Sequence, residues 1–166
     1  MIGAGGVLRL TPGWELVARL QSGSLSARTP GAQDRSVGEM GAELRARTDR
    51  RLTFVVGVAR RAYSTTFARQ RWTILSLGAD FREPFLDRSL RAVAQGALLP
   101  LVSVSGLDHP RTAYRLGTGL ELQRGAATFR TLYRLERYDF PAGTLLRRQE
   151  QFAELTVQAV LSFGGR

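Results

Sequence analysis

The stretch that most constrains this chain is its last long one, Phe152–Phe163, FAELTVQAVLSF. Taken every second residue, Ala153, Leu155, Val157, Ala159, Leu161 and Phe163 form one set. Phe152, Glu154, Thr156, Gln158, Val160 and Ser162 form the other. The first set is wholly apolar and the second mostly polar. A period of two is a β-strand with two unlike faces. The stretch is also about the 9–11 residues that cross a bilayer at a tilt.

The rest of the chain repeats the pattern. Val7–Leu10 is a short alternating piece. In Trp14–Gln21, Trp14, Leu16, Ala18 and Leu20 oppose Glu15, Val17, Arg19 and Gln21. Glu39–Arg47 sets Met40, Ala42, Leu44 and Ala46 against Glu39, Glu43 and Arg45. Leu52–Tyr63 has Leu52, Phe54, Val56 and Val58 on one face and Arg61 and Tyr63 on the other. Trp72–Arg82 is less regular, with Leu75, Leu77, Ala79 and Phe81 opposite Asp80 and Arg82. Arg91–Val104 is the weakest strand, and Pro100 forces a bulge or a break there. Ala113–Gln123 and Ala127–Glu136 alternate clearly. The connections are in turn short and long: Pro12-Gly13, Thr48-Asp49-Arg50, Pro84–Ser89 and Arg124-Gly125-Ala126 against longer polar segments. The prediction is an all-β, antiparallel, up-and-down fold of about nine strands, in a single domain spanning the chain.

Phe152–Phe163 resembles the terminal strand of bacterial outer-membrane β-barrels, which alternates in this way and ends on Phe as an assembly signal. Here Gly164-Gly165-Arg166 follow the Phe, where the family usually stops. Short turns on one side and long loops on the other are also shared with such barrels. The resemblance implies a transmembrane β-barrel in the outer membrane, with about nine strands visible of roughly ten to twelve. It implies outer-membrane lipid and lipopolysaccharide as surroundings. It also implies engagement of the barrel-assembly machinery through the last strand, with Phe163 as the signal.

On that reading the lipid-facing residues are Leu52, Phe54, Val56, Val58, Leu116, Leu120, Leu122, Phe129, Leu155, Val157 and Leu161. The lumen-facing charged residues are Glu15, Arg19, Glu39, Glu43, Arg45, Arg61, Asp80, Arg82, Arg115, Glu121, Arg130, Arg134, Glu136 and Glu154. Interior ion pairs are expected to brace a narrow lumen. Arg60 has the wrong parity. It either reaches lipid head groups or lipopolysaccharide phosphate by snorkelling, or sits at a bulge. Trp14, Tyr63, Trp72, Phe81, Tyr114, Phe129, Tyr138 and Phe163 lie near strand ends, where the two bilayer interfaces place aromatics.

A soluble β-barrel or sandwich also alternates. Against it stand the strand lengths, near ten residues where about five or six is usual, and the mid-strand charges of both signs. All 24 basic residues are Arg, the net charge is +10, and Cys, Lys and Asn are absent. That excess suggests an anionic partner, but the arginines are mixed with acids along every strand and form no stripe interleaved with aromatics. Nucleic acid is therefore not expected. No metal cluster, disulfide or cofactor fingerprint is present. The lone His109 lies beside Asp108 and Pro110, a pattern of turn chemistry. The functional expectations are a small anion-biased pore or transporter, or a structural or adhesive barrel. The alternatives are a lipid-active enzyme using His109, and a soluble basic β-barrel binding nucleic acid or another anionic ligand.

An odd strand number puts the two ends of a barrel chain on opposite sides of the membrane. Residues 1–5 are too few to supply a further strand or an export signal. The expectation is a chain lacking at least one N-terminal strand and its signal peptide. Val7–Leu10 and Phe152–Phe163 are then expected to face each other across an open or strained seam, or across a barrel forced shut at nine.

Overall fold

Each alternating segment becomes a strand in the computed structural model, and most run further than the alternation alone indicates. The structure describes residues 2–27, 33–65, 69–85, 87–106, 108–141 and 148–161, and of residues 87, 88 and 161 the backbone only. The strands are β1 (Ile2–Thr11), β2 (Trp14–Leu25), β3 (Arg35–Arg47), β4 (Leu52–Ser64), β5 (Arg69–Phe85), β6 (Asp87–Val104), β7 (Thr112–Arg124), β8 (Ala127–Asp139) and β9 (Gln149–Leu161). No helix forms among the described residues. Every strand pairs antiparallel with its sequence neighbours, and the order is β1 through β9. The sheet curls into a half-barrel, with a concave trough and a convex outer face. β1 and β9 do not pair with each other, so the seam between them is open.

β1 corrects the sequence reading. It starts at Ile2 rather than Val7, because the glycine-rich run Gly3–Gly6 pairs with Ala18–Gln21 of β2. A side chain at Gly3 would bring its Cβ within 2.8 Å of the Gln21 Cβ. The missing side chains let the strands approach, and they also erase the alternation that signals a strand.

The break at Pro100 is a bulge. Leu75 of β5 pairs with Leu101 and Leu77 with Leu98, so one residue of β5 opposes both Leu99 and Pro100. The extra residue switches the parity of β6, and both Leu99 and Val102 point inward and are buried. Pro100 has no N–H to give, and pairing of β6 with β7 stops at Leu98. No bulge occurs at Arg60. Its register to Met40 on one side and Thr73 on the other is continuous, and its side chain is on the convex face.

The buried apolar core lies inside the trough at the end bearing the long connections. Tyr63, Trp72, Tyr138 and Phe140 pack there with Val37, Ile74, Leu99, Val102, Val104 and Ala113. Trp72 stands edge-on to Tyr63 at 5.6 Å and to Tyr138 at 5.0 Å between ring centroids, and Phe152 stacks on Tyr63 at 5.3 Å. This corrects the expected aromatic girdle. Tyr63, Trp72 and Tyr138 fill the interior, whereas Trp14, Phe81 and Phe129 stand on the convex face near the short turns.

Candidate functional site in the concave trough

Curling brings to one axis side chains that are far apart in sequence. β4 and β8 are not neighbours in the sheet, yet Arg61 donates from Nη1 to a Glu136 oxygen at 2.6 Å across the trough. Arg61 also donates to Glu39 on the adjacent strand and to the Tyr63 hydroxyl at 2.8 Å. Glu136 further accepts from Arg115 Nε at 2.7 Å and from the Tyr138 hydroxyl at 2.9 Å. It is 3% exposed, so each of these donors replaces water that burial has removed. This layer lies directly beneath the aromatic cluster.

Midway down the trough Arg19 pairs with Glu43 at 2.8 Å, and Glu43 also accepts from Arg45 Nη2 at 2.7 Å. Arg134 reaches Glu154 only at 3.7 Å. At the short-turn end, Arg130 donates to Glu121, and Arg82 lies 3.7 Å from the same carboxylate and 3.5 Å from Asp80. Glu15 lies 3.5 Å from Arg47. All fourteen charged residues singled out in the sequence, from Glu15 to Glu154, are on the concave face.

The eleven apolar positions fall otherwise. Leu52, Phe54, Val56, Val58, Leu116, Leu120, Leu122, Phe129, Leu155 and Val157 stand on the convex face; the side chain of Leu161 and all of Phe163 lie outside the described residues. Leu116 is 51% exposed and Val157 74%.

Sequence reasoning takes Tyr63, Trp72 and Tyr138 for interface residues and misses their interior packing, although the signal is present; Phe152 it already sets on the face of Glu154. Each shares its parity with a charged interior residue two positions away or, for Trp72, with Ser76 and Asp80 further along β5.

His109 has a structural task. Its Nδ1 lies 2.8 Å from the Val102 carbonyl, just past the bulge, where β6 no longer pairs with β7. Ser105 exchanges two hydrogen bonds with the Arg71 backbone, through its Oγ at 3.0 Å and its N–H at 2.9 Å. No hydrogen bond joins His109 to Ser103 or Ser105 among the described residues, so the pairing of nucleophile and base that catalysis needs is not formed. No cluster of three metal-ligating side chains occurs among the described residues.

The fold defines a class: an all-β chain of nine antiparallel, up-and-down strands curled into a half-barrel with charge inside. Set against family models, curated proteins and solved structures, the chain matches none of them.

Proposed function

We propose that this chain is a membrane-spanning β-barrel protein of the outer-membrane type, with a filled, non-conducting interior. One observation carries the reading. Through the middle of the sheet the described convex positions are uncharged except Arg60, the partner of Met40, and large apolar side chains stand there in the open: Leu20, Met40, Val56, Leu98, Leu116 and Leu155 among them. Glu39, Glu43, Arg61, Arg115, Arg134 and Glu136 are buried on the other face. A water-soluble domain has the opposite preference, since unpaired charges avoid burial and large apolar patches avoid water. A hydrocarbon surround inverts that rule.

Strand length is consistent with this. Thirteen residues at about 3.4 Å each, tilted by about 45°, rise roughly 30 Å, the thickness of a bilayer core. Convex charges gather at the ends. Arg60, Arg69, Arg71 and Arg137 are near the long connections, where lipopolysaccharide or other anionic lipid head groups offer phosphate. The aromatic cluster fills the trough at that same end, which favours a structural or adhesive barrel over a wide pore. The unpaired edge of β9 suits an encounter with the barrel-assembly machinery. An anion-biased pore is the second reading, favoured by the arginine surplus in mid-trough.

The test is partition. Protein folded into zwitterionic detergent or phosphatidylcholine vesicles is expected to migrate differently on gels before and after boiling, and to resist carbonate extraction from the vesicles. A monodisperse monomer without detergent would overturn the proposal.

A further inference from the structure

Mid-trough, between the Glu136 layer and the ion pairs of the short-turn end, a recess of about 40 Å³ opens. A buried water needs about 10–15 Å³ on this measure, so the recess takes a few waters or one small ion. Small residues make room for it: Ser76 and Gly78 of β5 and Gly96 and Ala97 of β6 are in its lining. Four arginines from four strands line it: Arg19 of β2, Arg45 of β3, Arg115 of β7 and Arg134 of β8. Among the described residues two carboxylates, Glu43 and Asp80, line it with them.

These arginines are not equally satisfied. Arg45 and Arg115 donate at 2.7 Å to Glu43 and Glu136. Arg134 is 8% exposed, and its Nε has no hydrogen-bond partner. Arg19 Nε is likewise buried without one. A buried guanidinium N–H without an acceptor is costly, and native structures rarely leave one. Two such groups, from β2 and β8, line one recess; Arg19 Nε has the Glu39 carboxylate 3.8 Å away, and Asp80 Oδ2 in the same lining is itself buried without a hydrogen-bond partner.

We infer that the mid-trough recess binds a small tetrahedral oxyanion of the phosphate or sulfate class, held by Arg134 and Arg19. Tetrahedral oxygens suit donors arriving from separate strands, whereas a carboxylate is satisfied by one planar arginine fork. The site belongs to the concave face and does not depend on what covers the convex one, so it stands or falls apart from membrane insertion.

The experiment titrates inorganic phosphate into the full chain folded in zwitterionic detergent and previously equilibrated in chloride. Unfolding is followed by tryptophan fluorescence. The expected result is a saturable rise in unfolding temperature, which chloride at equal ionic strength does not produce. Arg134→Gln and, separately, Arg19→Gln are expected to weaken apparent phosphate affinity by about tenfold or more. Arg130→Gln, whose side chain pairs with Glu121 away from the recess, should leave it unchanged. Glycerol phosphate separates the sources. A free oxyanion site excludes the glycerol and binds it more weakly than phosphate, and equal binding would point to a lipid head group and overturn the inference. So would the absence of any saturable response, an equal response to chloride, or a phosphate response undiminished in both Arg134→Gln and Arg19→Gln.

Discussion

The two faces of the sheet are made of the same strands and differ only by parity, yet they obey opposite rules. On β7, Arg115 and Glu121 are buried and hydrogen-bonded, while Leu116 and Leu120 stand about half exposed. The concave face is held by pairing: most of its charges have named partners on the same or a neighbouring strand, and Arg61–Glu136 spans the trough. Through its middle the convex face has no such pairs, and Arg137–Asp139 joins convex side chains only at the strand end. The difference teaches that the concave face fixes the fold, and the convex face fixes what medium the fold requires.

Breaking the concave face should cost most. Glu136→Ala leaves Arg61 and Arg115 without their shared carboxylate, a loss expected near 3–5 kcal/mol and readable as a lowered urea midpoint in vesicles. Trp72→Ala opens a cavity among Tyr63, Tyr138 and Phe140, with a similar expected loss of about 3–5 kcal/mol. Planar-bilayer conductance of that variant should exceed that of the parent if the aromatic cluster is what closes the trough.

The convex face gives a sharper contrast because the effect depends on the medium. Leu116→Arg is expected to cost about 2–4 kcal/mol at mid-bilayer. In water the same exposed position would tolerate the change to within about 0.5 kcal/mol. Arg60→Leu, near the long-connection end, should alter stability by about 1 kcal/mol or less, while reducing any preference of the protein for anionic over zwitterionic vesicles.

The smallest effect lies outside both faces. In the β3–β4 turn the Asp49 carboxylate accepts N–H groups from Arg51 at 2.6 Å and Leu52 at 2.7 Å. Those backbone bonds hold its pKa below the usual value. A depressed folded pKa means that its contribution is complete above the unfolded value, about 3.9, and is lost as pH falls through the folded one. Asp49→Ala should flatten the acid end of the stability profile slightly, as measured by unfolding between neutral and acidic pH.

Parity was legible in the sequence because a strand prints its faces at every second residue. Eight of the nine strands were placed from it, and so was the concave face of the fourteen charged residues singled out, whereas Arg60 admits two readings and Arg69 and Arg71 read as loop residues. Two things could not be read, and a third was legible but misassigned. The curl that brings Arg61 to Glu136, 75 residues apart, is set by the whole sheet and leaves no local mark. The glycines of Gly3–Gly6 have no side chains to alternate. Tyr63 and Tyr138 were assigned by residue type, as interface residues, when their parity with Arg61 and Glu136 placed them inside.

The most direct test of the division between faces is site-directed spin labelling in vesicles, since the chain has no native cysteine. Single cysteines at Leu116 and Leu155 sample the convex face. Those at Gly117 and Thr156, one residue on, sample the concave one. Collisions with lipid-dissolved oxygen and with a water-soluble nickel chelate are compared at each. Oxygen should dominate at Leu116 and Leu155, with the preference lowered or reversed at Gly117 and Thr156. Equal ratios at all four positions, or greater access of the chelate at Leu116 and Leu155, would contradict a lipid-facing convex surface.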